Sequence, residues 1–260
     1  MAVSSSGDAA VYRGASWHRP TPVFRTLPAL TSVSCASPRF CVTVTVDGFA
    51  IPYDGQRWGT PVLVDAHSKK FGVGLQVSCP SPSFCLAISE DHAFAATFNG
   101  SSWSTRERVT TRFLSAVSCA SPEFCVALGP GRTVAYDEGS SWRLGTSTIP
   151  DLDSVSCPTA RFCAATDRSG NVITYNGRTW SAPTHLVSAF NIQSSVSCPS
   201  ASYCVAVLGD NPVATFDGTF WTRSQLSRAE NFYVVSCPDR SFCAALDELD
   251  SVAIATRGRA

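Results

Sequence analysis

The sequence predicts an all-β fold: a six-bladed β-propeller of four-stranded antiparallel blades, closed by N- and C-terminal strands sharing one blade. Three observations predict it. A Ser-Val-Ser-Cys unit or a near variant opens six repeats, over Ser32 to Cys41, Gln76 to Cys85, Ala116 to Cys125, Ser154 to Cys163, Ser195 to Cys204 and Val234 to Cys243. Their first cysteines, at 35, 79, 119, 157, 198 and 237, stand 38 to 44 residues apart, which suits four short strands with their turns. Five repeats then run into an aromatic-x-Gly-x-x-Trp hairpin or a close variant.

Taken in order, each repeat reads as strand A at Ser-Val-Ser-Cys, a short loop to aromatic-Cys, and an apolar strand B. Strand C ends at the hairpin aromatic residue, and strand D starts near the tryptophan. The hairpins are Tyr53 to Trp58, Phe98 to Trp103, Tyr136 to Trp142 (one residue longer), Tyr175 to Trp180 and Phe216 to Trp221. Their Asp-Gly and Asn-Gly pairs are tight-turn signals, because both central residues of a type I′ turn need positive φ. No stretch keeps helical periodicity over a dozen residues. The remaining tryptophan, Trp17, precedes the first cysteine pair, and the last repeat stops after Val252 to Thr256. The expected organisation is therefore one domain over 1–260, with the last blade completed by residues 9–25, which removes exposed sheet edges. Both Ala9 to Tyr12 and Val252 to Thr256 read as strand C, one more than a six-blade ring needs; a piece of a longer array would also carry that surplus.

Lys plus Arg and Asp plus Glu number 20 each, so the formal net charge is zero. No field of one sign exists to gather nucleic acid or an anionic membrane. His18, His67, His92 and His185 are scattered, and no metal site or cofactor is expected. No apolar run approaches the roughly 20 residues of a membrane helix. The first residues lack the features of a signal peptide: a leader has been removed, export takes another route, or the protein stays inside.

The twelve cysteines bear on that choice. The pairs Cys35/Cys41, Cys79/Cys85, Cys119/Cys125, Cys157/Cys163, Cys198/Cys204 and Cys237/Cys243 all have five intervening residues. Zinc sites favour tighter pairs with matching histidines. A catalytic thiol would be one exceptional cysteine rather than a repeated one. Flanking an A–B loop, each pair lies across antiparallel strands about 4.5–5.5 Å apart, a separation that suits a disulfide. Each bridge would contribute about 2 kcal/mol by loop-closure entropy. Disulfides imply an oxidising compartment, hence a secreted or cell-surface protein. The alternative is a set of reduced, buried small residues.

The unit Ser-Val-Ser-Cys-Pro-Ser, Phe-Cys, Asp-x-x-Gly, Tyr-x-Gly-x-x-Trp resembles repeats of secreted bacterial β-propellers, in the broad grouping of WD40-, NHL- and Asp-box-like blades. The resemblance spans essentially the whole chain and implies fold far more than function. Sialidase-type propellers carry an Asp-box hairpin where Ser141-Trp142 and its counterparts lie, but no grouped arginines or acid/base pair match their site. Six-bladed fucose lectins have a hairpin similar to Tyr53-Asp54-Gly55 with Trp58, but their recurring Arg and Glu are missing.

Repeated residues are best explained by structure, so function is sought where the repeats differ. The D–A and B–C loops share one end of the blades and vary most; in a closed ring they surround one channel mouth. From them the candidate ligand residues are Lys70, Phe71, Arg112, Phe113, Arg132, Asp153, Asn191, Asp210, Phe232 and Tyr233. Aromatic and polar groups together suit a glycan or protein ligand. No nucleophile elbow or phosphate loop is present, and no catalytic residue is assigned. The expected function is a monomeric binding propeller. The alternatives are a carbohydrate- or small-metabolite-active hydrolase or lyase with its site at the channel mouth, and a sensor module from a larger receptor.

Overall fold

The computed structural model describes residues 1–13, 16–24, 29–66, 74–90, 93–104, 107–188, 192–209, 212–225, 231–247 and 252–256. Among them there is no helix. The chain divides into two compact units, Met1–Glu123 with Gly139–Trp142, and Phe124–Glu138 with Arg143–Ala260.

In the first unit, β1 (Ala2–Val3), β2 (Asp8–Ala10), β3 (Tyr12–Arg13), β4 (Ser16–Trp17) and β5 (Thr21–Pro22) precede the cysteine repeats. Ala9 of β2 opposes Val3 of β1 on one side and Thr21 of β5 on the other, while β3 pairs with β4. Next come two four-stranded meanders. One is β6 (Leu30–Ser37), β7 (Phe40–Thr45), β8 (Phe49–Tyr53) and β9 (Val62–Leu63); the other is β10 (Leu75–Ser81), β11 (Phe84–Ser89), β12 (Phe94–Phe98) and β13 (Glu107–Arg108). Strand β14 (Ala116–Ser121) opens the third repeat.

In the second unit β15 (Phe124–Leu128) pairs with β16 (Thr133–Asp137), and β17 (Trp142–Thr146) enters it at Arg143. Two more meanders follow: β18 (Leu152–Thr159), β19 (Phe162–Asp167), β20 (Asn171–Tyr175), β21 (Thr184–His185); then β22 (Ser194–Ser200), β23 (Tyr203–Leu208), β24 (Pro212–Phe216), β25 (Trp221–Gln225). The last sheet has three strands, β26 (Phe232–Asp239), β27 (Phe242–Asp247) and β28 (Val252–Thr256). Both stretches that read as strand C at the ends of the chain are therefore strands of their own sheets.

Burial follows from sheets stacking face to face. Strands β15 and β23 are buried along their whole length, which explains why the second strand of each repeat reads as continuously apolar rather than alternating. Fourth strands lie outside; Val62 and Leu63 of β9 are both exposed. Val42, Val44 and Ala50 pack with Leu75, Val77 and Ala87 of the next sheet, and Ala164 packs with Val196, Ala206 and Phe216.

Five described disulfides close the A–B hairpins: Cys35–Cys41, Cys79–Cys85, Cys157–Cys163, Cys198–Cys204 and Cys237–Cys243. Cys119 and Cys125 are disulfide-bonded as well, so no cysteine is free. The Cα separations of 3.9 to 4.1 Å are shorter than the expected cross-strand spacing. The ladder slips just beyond the bridge, as between Cys35 and Ser37, and this bulge draws the two backbones together.

The serines of the motif link neighbouring sheets. First strands meet one another, β6 on β10 and β10 on β14, then β18 on β22 and β22 on β26. The N–H of Cys79 donates to Ser34 Oγ, that of Cys119 to Ser78, that of Cys198 to Ser156, and that of Cys237 to Ser197, each at 2.9 Å. The other serine of the motif accepts likewise: Val196 N–H reaches Ser154 Oγ at 3.2 Å, and Val235 N–H reaches Ser195 Oγ at 3.2 Å. An A strand has a pairing partner on one edge only, so hydroxyls of the preceding blade satisfy amides that would otherwise be orphaned.

Aromatic residues wedge the sheets further out. Phe40 stacks on Phe98, Phe124 on Tyr175 and Phe162 on Phe216, each pair drawn from successive repeats. Every hairpin tryptophan described in a ring pair leans on its own strand-C aromatic, as Trp180 does on Tyr175 and Trp221 on Phe216. Two reach back to the preceding repeat: Trp180 Nε1–H donates to Tyr136 Oη and Trp142 Nε1–H to Glu107 Oε1, both at 2.8 Å.

Candidate ligand-binding loops

Within each unit the B–C and D–A loops are bonded to each other, which places them at the same end of their sheets. Val64 and Asp65 both donate N–H to the Gly48 carbonyl, Val109 to that of Ala93, and Leu186 and Val187 to that of Gly170. Gly170 has φ of +82°, and a Cβ there would lie 2.1 Å from the Val187 carbonyl oxygen, so only glycine permits the approach. Within each unit these bonds join the two kinds of loop in one rim.

Polar side chains in the second unit are largely engaged in holding that rim. Asp153 takes an ion pair from Arg168 Nε at 3.0 Å on one oxygen and the Ser194 N–H at 3.1 Å on the other. The Arg132 guanidinium donates to the Thr148 carbonyl. Asp151, at φ +51°, accepts the Gly131 N–H at 2.7 Å. Asp167 accepts N–H bonds from Ser169 and Asn171, and His185 sits between Asn171 Oδ1 and Ser188 Oγ.

In the first unit the situation differs. Arg112 and Phe113 are exposed, Phe113 to 49%. Among the described residues the Arg112 guanidinium has no ion-pair or hydrogen-bond partner, while its main-chain N–H donates to Thr110 Oγ1. Glu90 is half-buried; burial pushes its carboxyl up from the ordinary range, against the Gln76 Nε2–H donated at 2.8 Å.

Phe232 requires a correction. It is 2% exposed and packs with Tyr203, Val205, Val207 and Val235, so it is a core side chain and has no surface to offer a ligand. The repeat held the signal: five residues before the first cysteine stand Leu30, Leu114, Leu152 and Phe232, all buried. Tyr233, its neighbour, is partly exposed. Lys70, Phe71, Asn191 and Asp210 lie outside the described residues, as do His92 and Asp91. Among the described residues, no three His, Cys, Asp or Glu side chains group as a metal site, and no helix is long and apolar enough to cross a membrane.

Solved structures match this chain along nearly its whole length. U3-55K superposes with a TM-score of 0.81 at 10% identity, covering 98% of this chain and 90% of that one. The WD40 repeats of RRP9 give 0.78 at 11%, over 99% and 84%. YCF48 bound to a D1 peptide gives 0.72 at 13%, over 94% and 83%. The fold is a β-propeller. At these identities the likeness is one of fold alone. No protein-family profile matches the sequence, and no curated protein does. The disulfides, five of them described at A–B hairpins, fit an oxidising environment.

Proposed function

We propose that this chain is an extracellular or cell-surface binding propeller that holds a protein or glycan ligand on its D–A and B–C loops. One observation carries the reading: Arg112 and Phe113 stand exposed side by side on a D–A loop, in a chain whose repeated polar groups are used internally. An arginine beside an exposed aromatic ring is the pairing enriched at recognition surfaces. Carboxylates such as Asp153 are already satisfied by Arg168 and Ser194, which leaves little for acid/base chemistry. The peptide carried by the YCF48 structure supports a protein segment as the first ligand to try, and the disulfides support export.

The test is a glycan array together with pull-down from the cell envelope and culture medium, run with the parent chain and Arg112→Ala/Phe113→Ala. A partner retained by the parent and lost by the double variant is the expected result. Equal capture by both, or turnover of a carbohydrate with no stable partner, would sink the proposal.

A further inference from the structure

The second unit holds a cleft of about 560 Å³ that no repeat motif announces, lined by Arg132, Arg143 and Arg178 with Tyr136, Gly145 and Trp180. Its volume falls in the range of ligand sites. The floor is rigid. The Arg143 guanidinium lies 4.3 Å above the Tyr136 ring, and the phenol oxygen accepts the Trp180 indole N–H at 2.8 Å. Burial pushes the Tyr136 phenol up from its ordinary range, so it stays neutral and does not offset the arginines.

The positive charge is only partly spent. Arg143 pairs with Glu138 at 2.8 Å, but both are about half exposed, and Arg132 donates to the Thr148 carbonyl. Arg178 is exposed on the C–D turn, and its guanidinium has no partner among the described residues. Strand β17 ends its sheet, so among the described residues no strand pairs with its outer edge. Within it Gly145 projects no side chain; a Cβ there would meet Tyr136 Cε2 at 2.9 Å. The cleft thus sets three guanidiniums, from a loop, a strand and a turn, beside the last strand of a sheet.

We propose that this cleft binds an acidic peptide segment, extended beside β17 with its carboxylates on the arginines. Guanidinium groups match carboxylates by bidentate bonding, and an open strand edge recruits a peptide main chain. A sugar chain could use the charges but not the edge. Arg132 belongs to the loop set as well, but the inference stands apart from Arg112 and Phe113, which do not line the cleft.

The test is fluorescence anisotropy of a labelled Glu-Val-Glu-Val-Glu-Val-Glu peptide with the whole chain, against the same peptide carrying Gln for Glu. The Glu peptide should bind, and should weaken as salt rises from about 0.05 to about 0.5 M. Arg178→Gln should weaken binding about three- to fivefold, the worth of one exposed ion pair. Glu138→Gln should strengthen it about two- to threefold, because it frees Arg143. Arg178 lies on an exposed turn, and an unchanged tryptophan spectrum confirms that the variant is folded. Equal binding of the two peptides, or no response to either substitution, overturns the proposal. So does binding of a sulfated oligosaccharide where the Glu peptide fails, which would assign the cleft to an acidic glycan.

Discussion

Replacing Ser156 with alanine tests the physical link on which blade-to-blade packing depends. The Ser156 hydroxyl accepts the Cys198 N–H at 2.9 Å, and Cys198 is only 7% exposed. The substitution leaves that amide without an acceptor while removing almost no volume. A buried donor stranded in this way costs about 1–3 kcal/mol. The first strands are only half-buried, so water can partly replace the hydroxyl, and the expected loss is about 1–2 kcal/mol. Ser197→Ala should lose a similar amount at Cys237, and the double variant should depart from the sum of the two, because Ser197 directly precedes Cys198, whose N–H Ser156 accepts. Ser156→Thr keeps an acceptor oxygen and should recover part of the loss. The control is Ser101→Ala on an exposed turn, where a change within about 0.5 kcal/mol is expected. The assay is urea unfolding without reductant, followed by tryptophan fluorescence and circular dichroism together. If Ser156→Ala proves no more damaging than Ser101→Ala, the serines do not hold the blades and the account of the motif fails.

Three further outcomes follow from the structure. Phe232→Ala should destabilise the fold by about 3–5 kcal/mol in the same assay, whereas Phe113→Ala should change stability within about 0.5 kcal/mol. With all twelve cysteines paired, the intact non-reduced chain should weigh about 12 Da less than the reduced one, and reduction should lower its unfolding midpoint. Asp217 accepts N–H bonds from Thr219 and Phe220, both at 2.8 Å, and these hold its carboxyl below the usual range. Its contribution is thus complete above the ordinary carboxylate pKa of about 3.9 and lost as pH falls through the depressed value. Asp217→Asn should therefore flatten the acid limb of a stability-against-pH curve.

Much of the architecture was legible because each element repeats the same chemistry. The Asp-Gly and Asn-Gly turns, the apolar second strands and the fixed cysteine spacing each specify a local geometry, and six copies remove the ambiguity of one. What escaped the sequence depends on contacts between repeats. Ser34 and Cys79 stand 45 residues apart in the chain, and nothing in Ser-Val-Ser-Cys alone reveals that its hydroxyls reach the next sheet. Phe232 was misassigned for the opposite reason: read as a loop aromatic, it was separated from the column of Leu30, Leu114 and Leu152 to which it belongs. The arginine cleft was hidden because Arg132, Arg143 and Arg178 come from two repeats and three kinds of element.

The same reasoning explains where specificity can arise in such a chain. A residue retained in every repeat is tied to its neighbours: the serines to the next A strand, the cysteines to each other, the strand-C aromatics to the following wedge. Changing one of them for the sake of a ligand would break a contact between blades at a cost of about a kilocalorie or more. Residues that occur in one repeat only carry no such penalty. Arg178, on the turn of the fourth repeat, corresponds to Gln56 in the first, Ser101 in the second and Thr219 in the fifth, while its neighbour Trp180 retains the structural role. Recognition can therefore evolve at Arg178 without disturbing the indole two residues away, and Arg178→Gln should alter binding while leaving the urea midpoint in place.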